Sequence, residues 1–183
     1  MRRKKLALKS LLVGLVVWAC AGTSGAVSMT PKPPGVVTPP VITASFAVDK
    51  GRYGDPIKVY LAAEHKDGAM QMIAVQVSQV AYGDYPSTWT YLKEGNKERF
   101  VGYLQWNTGS SQFIPEGTRM SITISVLDQW GNESNKVVLP YEFVSGASSP
   151  SVLPAPFDQA DVPRLGYISI ALRNPIRSQR GGK

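Results

Sequence analysis

The sequence predicts an all-β protein built on a single antiparallel β-sandwich of about seven strands. Three observations support this fold class. Apolar and polar residues alternate in several short runs, turn-forming residues separate nearly every pair of runs, and no stretch shows a sustained helical period. The chain has 183 residues, which is enough for one domain with a core and flanking segments. We place the sandwich at residues 42–145.

The most regular alternation lies in residues 120–143, which we interpret as a β-hairpin. On its first arm Ile122 and Ile124 point to one side and Thr123 to the other, as expected of a half-buried strand. Residues 128–135, rich in Asp, Asn and Gly, join the two arms and favour reversal of the chain. The other predicted strands cover residues 42–48, 57–65, 70–80, 85–92 and 100–106.

The amino terminus has the pattern of an export signal. Basic residues at positions 2–5 and at Lys9 precede an apolar run at residues 11–19. This run is shorter than the roughly 20 residues that a membrane-spanning helix needs. We therefore interpret residues 1–19 as a cleaved signal peptide.

Two processing sites are compatible with this signal. Val17-Trp-Ala-Cys20 resembles the lipobox of bacterial lipoproteins, and the resemblance implies a Cys20 that carries palmitate-type chains and anchors the protein in a membrane. Because Ala21 follows the cysteine, the resemblance implies the outer membrane, with the domain facing the periplasm or the surface. The alternative is cleavage after Ala26, in the small-x-small pattern Ser24-Gly-Ala26, which would release the chain.

Charge and cysteine content narrow the function classes. Five basic residues lie in the signal, so its removal lowers the formal net charge from +7 to +2. Nucleic-acid binding then has no electrostatic support, and we predict no nucleic-acid partner. Cys20 is the only cysteine, which excludes an intramolecular disulfide bond. Core packing must therefore stabilise the domain.

Proline-rich and small residues flank the predicted domain. Residues 20–41 contain repeated prolines, favour an extended conformation and are predicted to form a tether. Residues 146–183 are predicted to form a linker and a basic, largely irregular tail. Within it, residues 165–172 have strand character and either pair with an edge of the sandwich or meet a partner by strand addition or by charge.

The hairpin also carries a family resemblance. Residues 122–140 end in Val-Leu-Asp-Gln-Trp-Gly-Asn-Glu-Ser-Asn-Lys-Val-Val-Leu-Pro, which resembles the last hairpin of bacterial immunoglobulin-like and fibronectin type III-like domains. The resemblance implies an immunoglobulin-like sandwich. Domains of these families act as spacers, adhesive modules and docking surfaces on exported proteins. The resemblance includes no catalytic motif and supports the fold more than the function.

Candidate chemical sites are few. His65 lies beside Glu64 and Asp67, but no second ligand cluster accompanies it, so a satisfied or solvated turn is the favoured interpretation. The oxygen-bearing side chains of residues 128–135 lack the spacing of a calcium loop and suit a long turn. A carboxylate pair such as Glu64 with Glu142 would be the one route to catalysis. We predict no catalytic residue, no metal and no cofactor.

Aromatic side chains are the remaining candidates for binding. Trp89 and Tyr91 share one face of a predicted strand, Trp130 lies at the tip of the hairpin turn, and Tyr167 lies in the C-terminal segment. Most aromatic residues are expected in the core or at its rim, and these four are the candidate contacts for a partner or a sugar. The sequence thus predicts a non-enzymatic cell-envelope lipoprotein that acts as an accessory or protein-docking module. The alternative is a carbohydrate-binding module that recognises wall or extracellular polysaccharide.

Overall fold

A computed structural model of the chain describes residues 38–110, 113–146 and 152–174. The predicted signal peptide, Cys20, the greater part of the tether and the basic residues after position 174 lie outside these described residues. Within the described ranges, no helix is long and apolar enough to cross a membrane.

The described chain is built from strands, with two short 3-10 turns at Glu94–Asn96 and Thr108–Ser110. The strands are β1 (Val41–Ala47), β2 (Lys50–Gly51), β3 (Pro56–Glu64), β4 (Met70–Gln79), β5 (Gly83–Asp84), β6 (Thr88–Tyr91), β7 (Arg99–Asn107), β8 (Arg119–Asp128), β9 (Val137–Phe143) and β10 (Arg164–Tyr167). The predicted strands correspond to β1, β3, β4, β6, β7, β8 and β9. The short β2 and β5 are additional, and β10 overlaps the start of the C-terminal segment 165–172 for which strand character was predicted. β6 is shorter than predicted, because Pro86 offers no N–H to a sheet.

The strands form two sheets that pack face to face as a β-sandwich. Sheet A has the order β1-β3-β7-β10, and sheet B has the order β2-β9-β8-β4, with β5 and β6 both paired to β4. The predicted β8–β9 hairpin is confirmed as an antiparallel pair. The sheets are mixed rather than purely antiparallel, because β2 pairs in parallel with β9 and β10 with β7. Each of these pairs joins segments that are distant in the sequence, as parallel pairing requires.

The core lies between the sheets because the alternation in the strands points apolar side chains inward. In β7, Phe100, Leu104 and Trp106 are buried, while the residues between them are at least partly exposed, except for Gly102. In β8, Ile122 and Ile124 are buried in the same way. Trp106 is 1% exposed, so one of the aromatic residues does fill the core. Burying one such large apolar side chain contributes about 1.5–3 kcal/mol, and the core is therefore the main source of stability.

The C-terminal segment completes this core. β10 lies beside β7, and Ile168, Ile170 and Leu172 point into the space between the sheets, each at most 7% exposed. The indole N–H of Trp106 donates a hydrogen bond of 2.8 Å to the carbonyl of Ile170. Of the two alternatives for residues 165–172, the structure shows pairing with the sandwich. The packed part of the chain therefore extends beyond residue 145.

Two glycines allow β10 to lie this close to its neighbours. A Cβ atom at Gly102 of β7 would meet the Leu165 Cγ atom at 2.5 Å, so the absence of a side chain gives Leu165 its place over the core. A Cβ atom at Gly166 would overlap the methyl group of Thr90 in β6. Glycine is therefore required at both positions for β10 to pack against β7 of sheet A and β6 of sheet B.

A polar clamp fixes the end of the C-terminal segment. The backbone N–H of Arg173 donates to the Tyr85 hydroxyl at 2.8 Å, and the Arg173 carbonyl accepts from Gln79 Nε2 at 3.0 Å. The Tyr85 hydroxyl in turn donates to Gln79 Oε1 at 2.5 Å. Burial of Tyr85 raises the pKa of its phenol, which keeps this donor protonated. The clamp holds the chain where β4 ends.

The chain enters and leaves the sandwich at opposite poles. β1 begins at Val41, which is paired with Glu64 at the end of β3, close to the turn that leads into β4. We call this end the entry pole. Arg173 is held by Gln79 at the other end of β4, which we call the exit pole.

Residues 152–163 cover the outer face of sheet A. Phe157, 1% exposed, packs against Tyr60 of β3 with the ring centroids 5.6 Å apart, and Tyr60 lies equally close to Tyr103 of β7. Leu153 and Val162 pack against the same cluster. The chain thus buries the apolar outer face of sheet A with its own residues.

The outer edges of the sheets are protected against pairing with another strand. At β1, the Asn135 side chain accepts from the Ile42 N–H at 2.8 Å and donates to the Ile42 carbonyl at 3.2 Å, in the manner of a neighbouring strand. β9 carries Pro140, which has no N–H to offer. On the other side of the sandwich, the Thr90 hydroxyl of β6 donates to the Tyr167 carbonyl of β10 at 3.4 Å. These features are the usual defences of edge strands.

Tyr141 makes the fold sensitive to alkali. Its ring is buried in the core, and burial together with the nearby Asp55 carboxylate raises the pKa of its phenol from 10.0 to about 12. The stabilisation from the neutral phenol is therefore fully present below pH 10.0 and is lost as the pH rises through about 12. We expect the free energy of unfolding to fall more steeply across this window in the wild type than in Tyr141→Phe, as measured by urea denaturation. Equal slopes in both proteins would contradict this assignment.

Candidate functional site

His65 is buried in the turn between β3 and β4 and acts as a structural group. Its Nδ1 atom accepts backbone N–H bonds from Asp67 at 3.0 Å and from Ala69 at 3.4 Å. Its proton is therefore on Nε2, which lies 3.6 Å from Asp128 Oδ2 at the end of β8. At this distance the Nε2 atom forms no hydrogen bond within the described chain. Both side chains are inaccessible to solvent, so they offer no open site for a substrate.

Asp128 organises the hairpin turn. Its Oδ1 atom accepts from the backbone N–H groups of Trp130 at 2.9 Å and Asn132 at 2.8 Å, and its Oδ2 atom accepts from Asn132 Nδ2 at 2.7 Å. Of the other oxygen-bearing residues in the turn, Asn135 is bonded to β1 and Glu133 is paired with Lys136. Each of these oxygens is bonded to a different group of the protein, as expected of side chains that stabilise a turn.

The structure separates the carboxylates that the sequence suggested as a pair. Glu64 lies in β3 of sheet A and binds Arg99 at 3.2 Å, whereas Glu142 lies in β9 of sheet B and is 3.5 Å from Arg119. The suggestion of a Glu64–Glu142 pair is therefore wrong. Among the described residues, no group of three His, Cys, Asp or Glu side chains could hold a metal ion.

Trp89 and Tyr91 are brought together on the outer face of sheet B. They lie two residues apart in β6, with Thr90 between them turned toward β10, and they are 59% and 65% exposed. In register with Trp89 are Ala74 of β4 and, beyond it, Ser125 of β8. The two rings therefore stand at the margin of the outer surface of sheet B.

Tyr167 and Trp130 lie elsewhere. Tyr167 is paired with Gln105 on the outer side of sheet A, and the Arg164 guanidinium lies 4.5 Å from the centre of its ring. Trp130 is half-buried in the hairpin turn, with its ring 6.3 Å from that of His65. Of the four candidate aromatic residues, the structure thus groups only Trp89 with Tyr91.

The outer face of sheet B also contains residues that the sequence did not single out. Between the Trp89–Tyr91 margin and β9, the outward positions carry mainly small or hydroxyl- and amide-bearing side chains. These are Met72, Ala74, Gln76, Ser78, Ser121, Thr123, Ser125, Leu127, Val138 and Pro140. Most are exposed or half-buried, and no segment of the described chain buries this face as residues 152–163 bury sheet A. The sequence feature that could have identified these residues is the polar half of the alternation in β4 and β8.

Comparison with known proteins adds little. No protein-family model and no curated protein matches this chain. Among solved structures, the chain is similar to the CARDB domain of a Pyrococcus furiosus protein, which was crystallised in complex with di-metal ions. The TM-score is 0.34 and the sequence identity 15%, over 60% of this chain and 97% of the other. The assignment as a β-sandwich therefore rests on the strands and sheets described above.

Proposed function

We propose that this chain is a non-enzymatic accessory module of the cell envelope. In this proposal the sandwich is immunoglobulin-like, a lipid on Cys20 anchors it to the outer membrane, and residues 20–41 hold it away from the bilayer. The domain then docks a partner on the outer face of sheet B. A protein is the partner class that the sequence places first.

One observation carries this proposal: the unequal treatment of the two outer faces. Residues 152–163 cover the outer face of sheet A, and Phe157 is buried against Tyr60. On sheet B it leaves the large side chains of Trp89, Tyr91 and Val138 more than half exposed. Trp and Tyr side chains are enriched among the anchors of binding surfaces.

The mode of docking follows from the edges. Asn135 occupies the edge of β1, Pro140 interrupts that of β9, and Thr90 ties β6 to β10. Strand addition at an edge would have to displace these contacts. The exposed face of sheet B is therefore the docking surface, and the edges are not.

The test is cell fractionation followed by binding of the purified exported chain to isolated envelopes. We expect fatty-acid labelling and membrane association in the wild type and their loss in Cys20→Ser. We expect saturable envelope binding to fall about tenfold in Thr123→Arg, which places a long charged side chain in the middle of the face. Val152→Arg, a control at an exposed position outside sheet B, should bind as the wild type does. Equal binding by both arginine variants would refute the proposed surface, and labelling that survives Cys20→Ser would refute the anchor.

A further inference from the structure

We propose that the outer face of sheet B binds an uncharged polysaccharide, with Trp89 and Tyr91 as the stacking platform. This inference rests on the proposed docking function and names the ligand class for the same face. It differs from the expectation of a protein partner, and the structure supplies three reasons for the difference.

The first reason is the pair of aromatic rings. Trp89 and Tyr91 project from β6 on the same side, and residues two apart in a strand are separated by about 6.7 Å. Each ring combines a flat apolar face with a polar edge. The C–H-bearing face of a pyranose packs on such a ring, so neighbouring sugars of one polysaccharide chain can contact Trp89 and Tyr91 in turn. Ala74, in register with Trp89, leaves space for the sugar beside the indole.

The second reason is the supply of hydrogen-bonding groups. Gln76 is in register with Thr123, and Ser78 with Ser121, so two rows of hydroxyl and amide groups cross the sheet two and four residues along β4 from the row that contains Trp89. Within the described chain these four side chains form no hydrogen bonds to one another or to other residues. They are therefore available to the hydroxyl groups of a sugar.

The third reason is the distribution of charge and apolar surface. The outward positions of β4, β6 and β8 carry no charged side chain away from the strand ends. The charges on this face are Asp84 of β5, in register with Ser78, and the Arg119–Glu142 pair toward the exit pole. An anionic ligand finds no counter-charge at the centre of the face. A specific protein interface has an apolar centre and a polar rim, whereas here the centre is hydroxylic and the rings stand at the margin. This arrangement, with hydroxyl groups at the centre of the face and aromatic rings at its margin, suits an uncharged polysaccharide.

The experiment is calorimetric titration of the exported chain with cellohexaose, chitohexaose and a dextran oligosaccharide as uncharged probes. We expect at least one probe to bind, with an affinity that stays constant between about 0.05 and 0.5 M salt because no charges are paired. Trp89→Ala should weaken binding at least about tenfold, and Tyr91→Ala should weaken it to a smaller degree. Phe113→Ala removes a ring that is 67% exposed but lies outside sheet B, and it serves as the matched control. Circular dichroism confirms that each variant is folded.

The outcomes separate the two proposals. If none of the sugars binds while envelope binding remains sensitive to Thr123→Arg, the polysaccharide inference is overturned and the docking surface serves a protein. If Trp89→Ala and Phe113→Ala weaken sugar binding equally, the assignment of the platform is overturned. If neither sugars nor envelopes bind, both proposals fail.

Discussion

Deleting residues 164–183 is expected to abolish the native fold. The deletion removes Ile168, Ile170 and Leu172 from the core and leaves the Trp106 N–H without its acceptor. Losing one large buried aliphatic side chain costs roughly 2–5 kcal/mol, and the total stability of a domain is about 5–15 kcal/mol. We expect the truncated protein to lose its cooperative thermal transition, measured by circular dichroism. Loss of partner binding after such a truncation would therefore report unfolding rather than a missing contact.

Two point variants test whether the effect of the deletion comes from the loss of buried side chains or from the loss of the chain end itself. Ile170→Asp places an unpaired charge between the sheets and should destabilise the domain by several kcal/mol, on the order of 4. The adjacent Ser169 is exposed, and Ser169→Asp should leave the melting temperature almost unchanged. If the truncated chain unfolds cooperatively at the wild-type temperature, or if both aspartate variants behave alike, the C-terminal segment is not part of the core.

Asp128→Ala is expected to have the second largest effect. Asp128 is fully buried, accepts three hydrogen bonds within the hairpin turn and faces the Nε2 atom of His65. Its removal leaves three half-buried donors without their acceptor, at a cost of about 1–3 kcal/mol for each donor that water does not reach. We expect a loss of about 3 kcal/mol in the free energy of unfolding from urea denaturation.

Glu133→Ala is the matched control for this turn. Glu133 is an exposed carboxylate of the same loop, and its surface pair with Lys136 contributes at most about 0.5 kcal/mol. The two variants should therefore differ clearly in stability. Similar losses for both would mean that Asp128 does not hold the turn.

The strands were predictable because alternation is a local property. Ile122, Ile124 and Trp106 lie on the inner faces that the period of two assigned to them, and the reversal at residues 128–135 follows from side chains that bond to their own backbone. The Trp89–Tyr91 pair was predictable for the same reason. Its exposure was not, because a strand pattern does not state which of its faces another segment covers.

The remaining features depend on contacts between distant parts of the chain. Nothing near Phe157 in the sequence indicates that it packs on Tyr60, and the parallel pairing of β10 with β7 becomes possible only where Gly102 and Gly166 leave space. Trp130 has the sequence context of an exposed loop tip, yet it is half-buried, with its ring beside that of the buried His65. Neither composition nor periodicity contains this information.

The opposite positions of the entry and exit poles have a mechanical consequence. If the N-terminal side is fixed to a membrane and a load acts beyond Arg173, the force runs along the strands and slides β1 past β3 and the C-terminal segment past β7. In this shear geometry the hydrogen bonds of a pair share the load, whereas in a geometry that peels strands apart they break one at a time. Under such a load the domain would therefore resist extension along the direction of its strands.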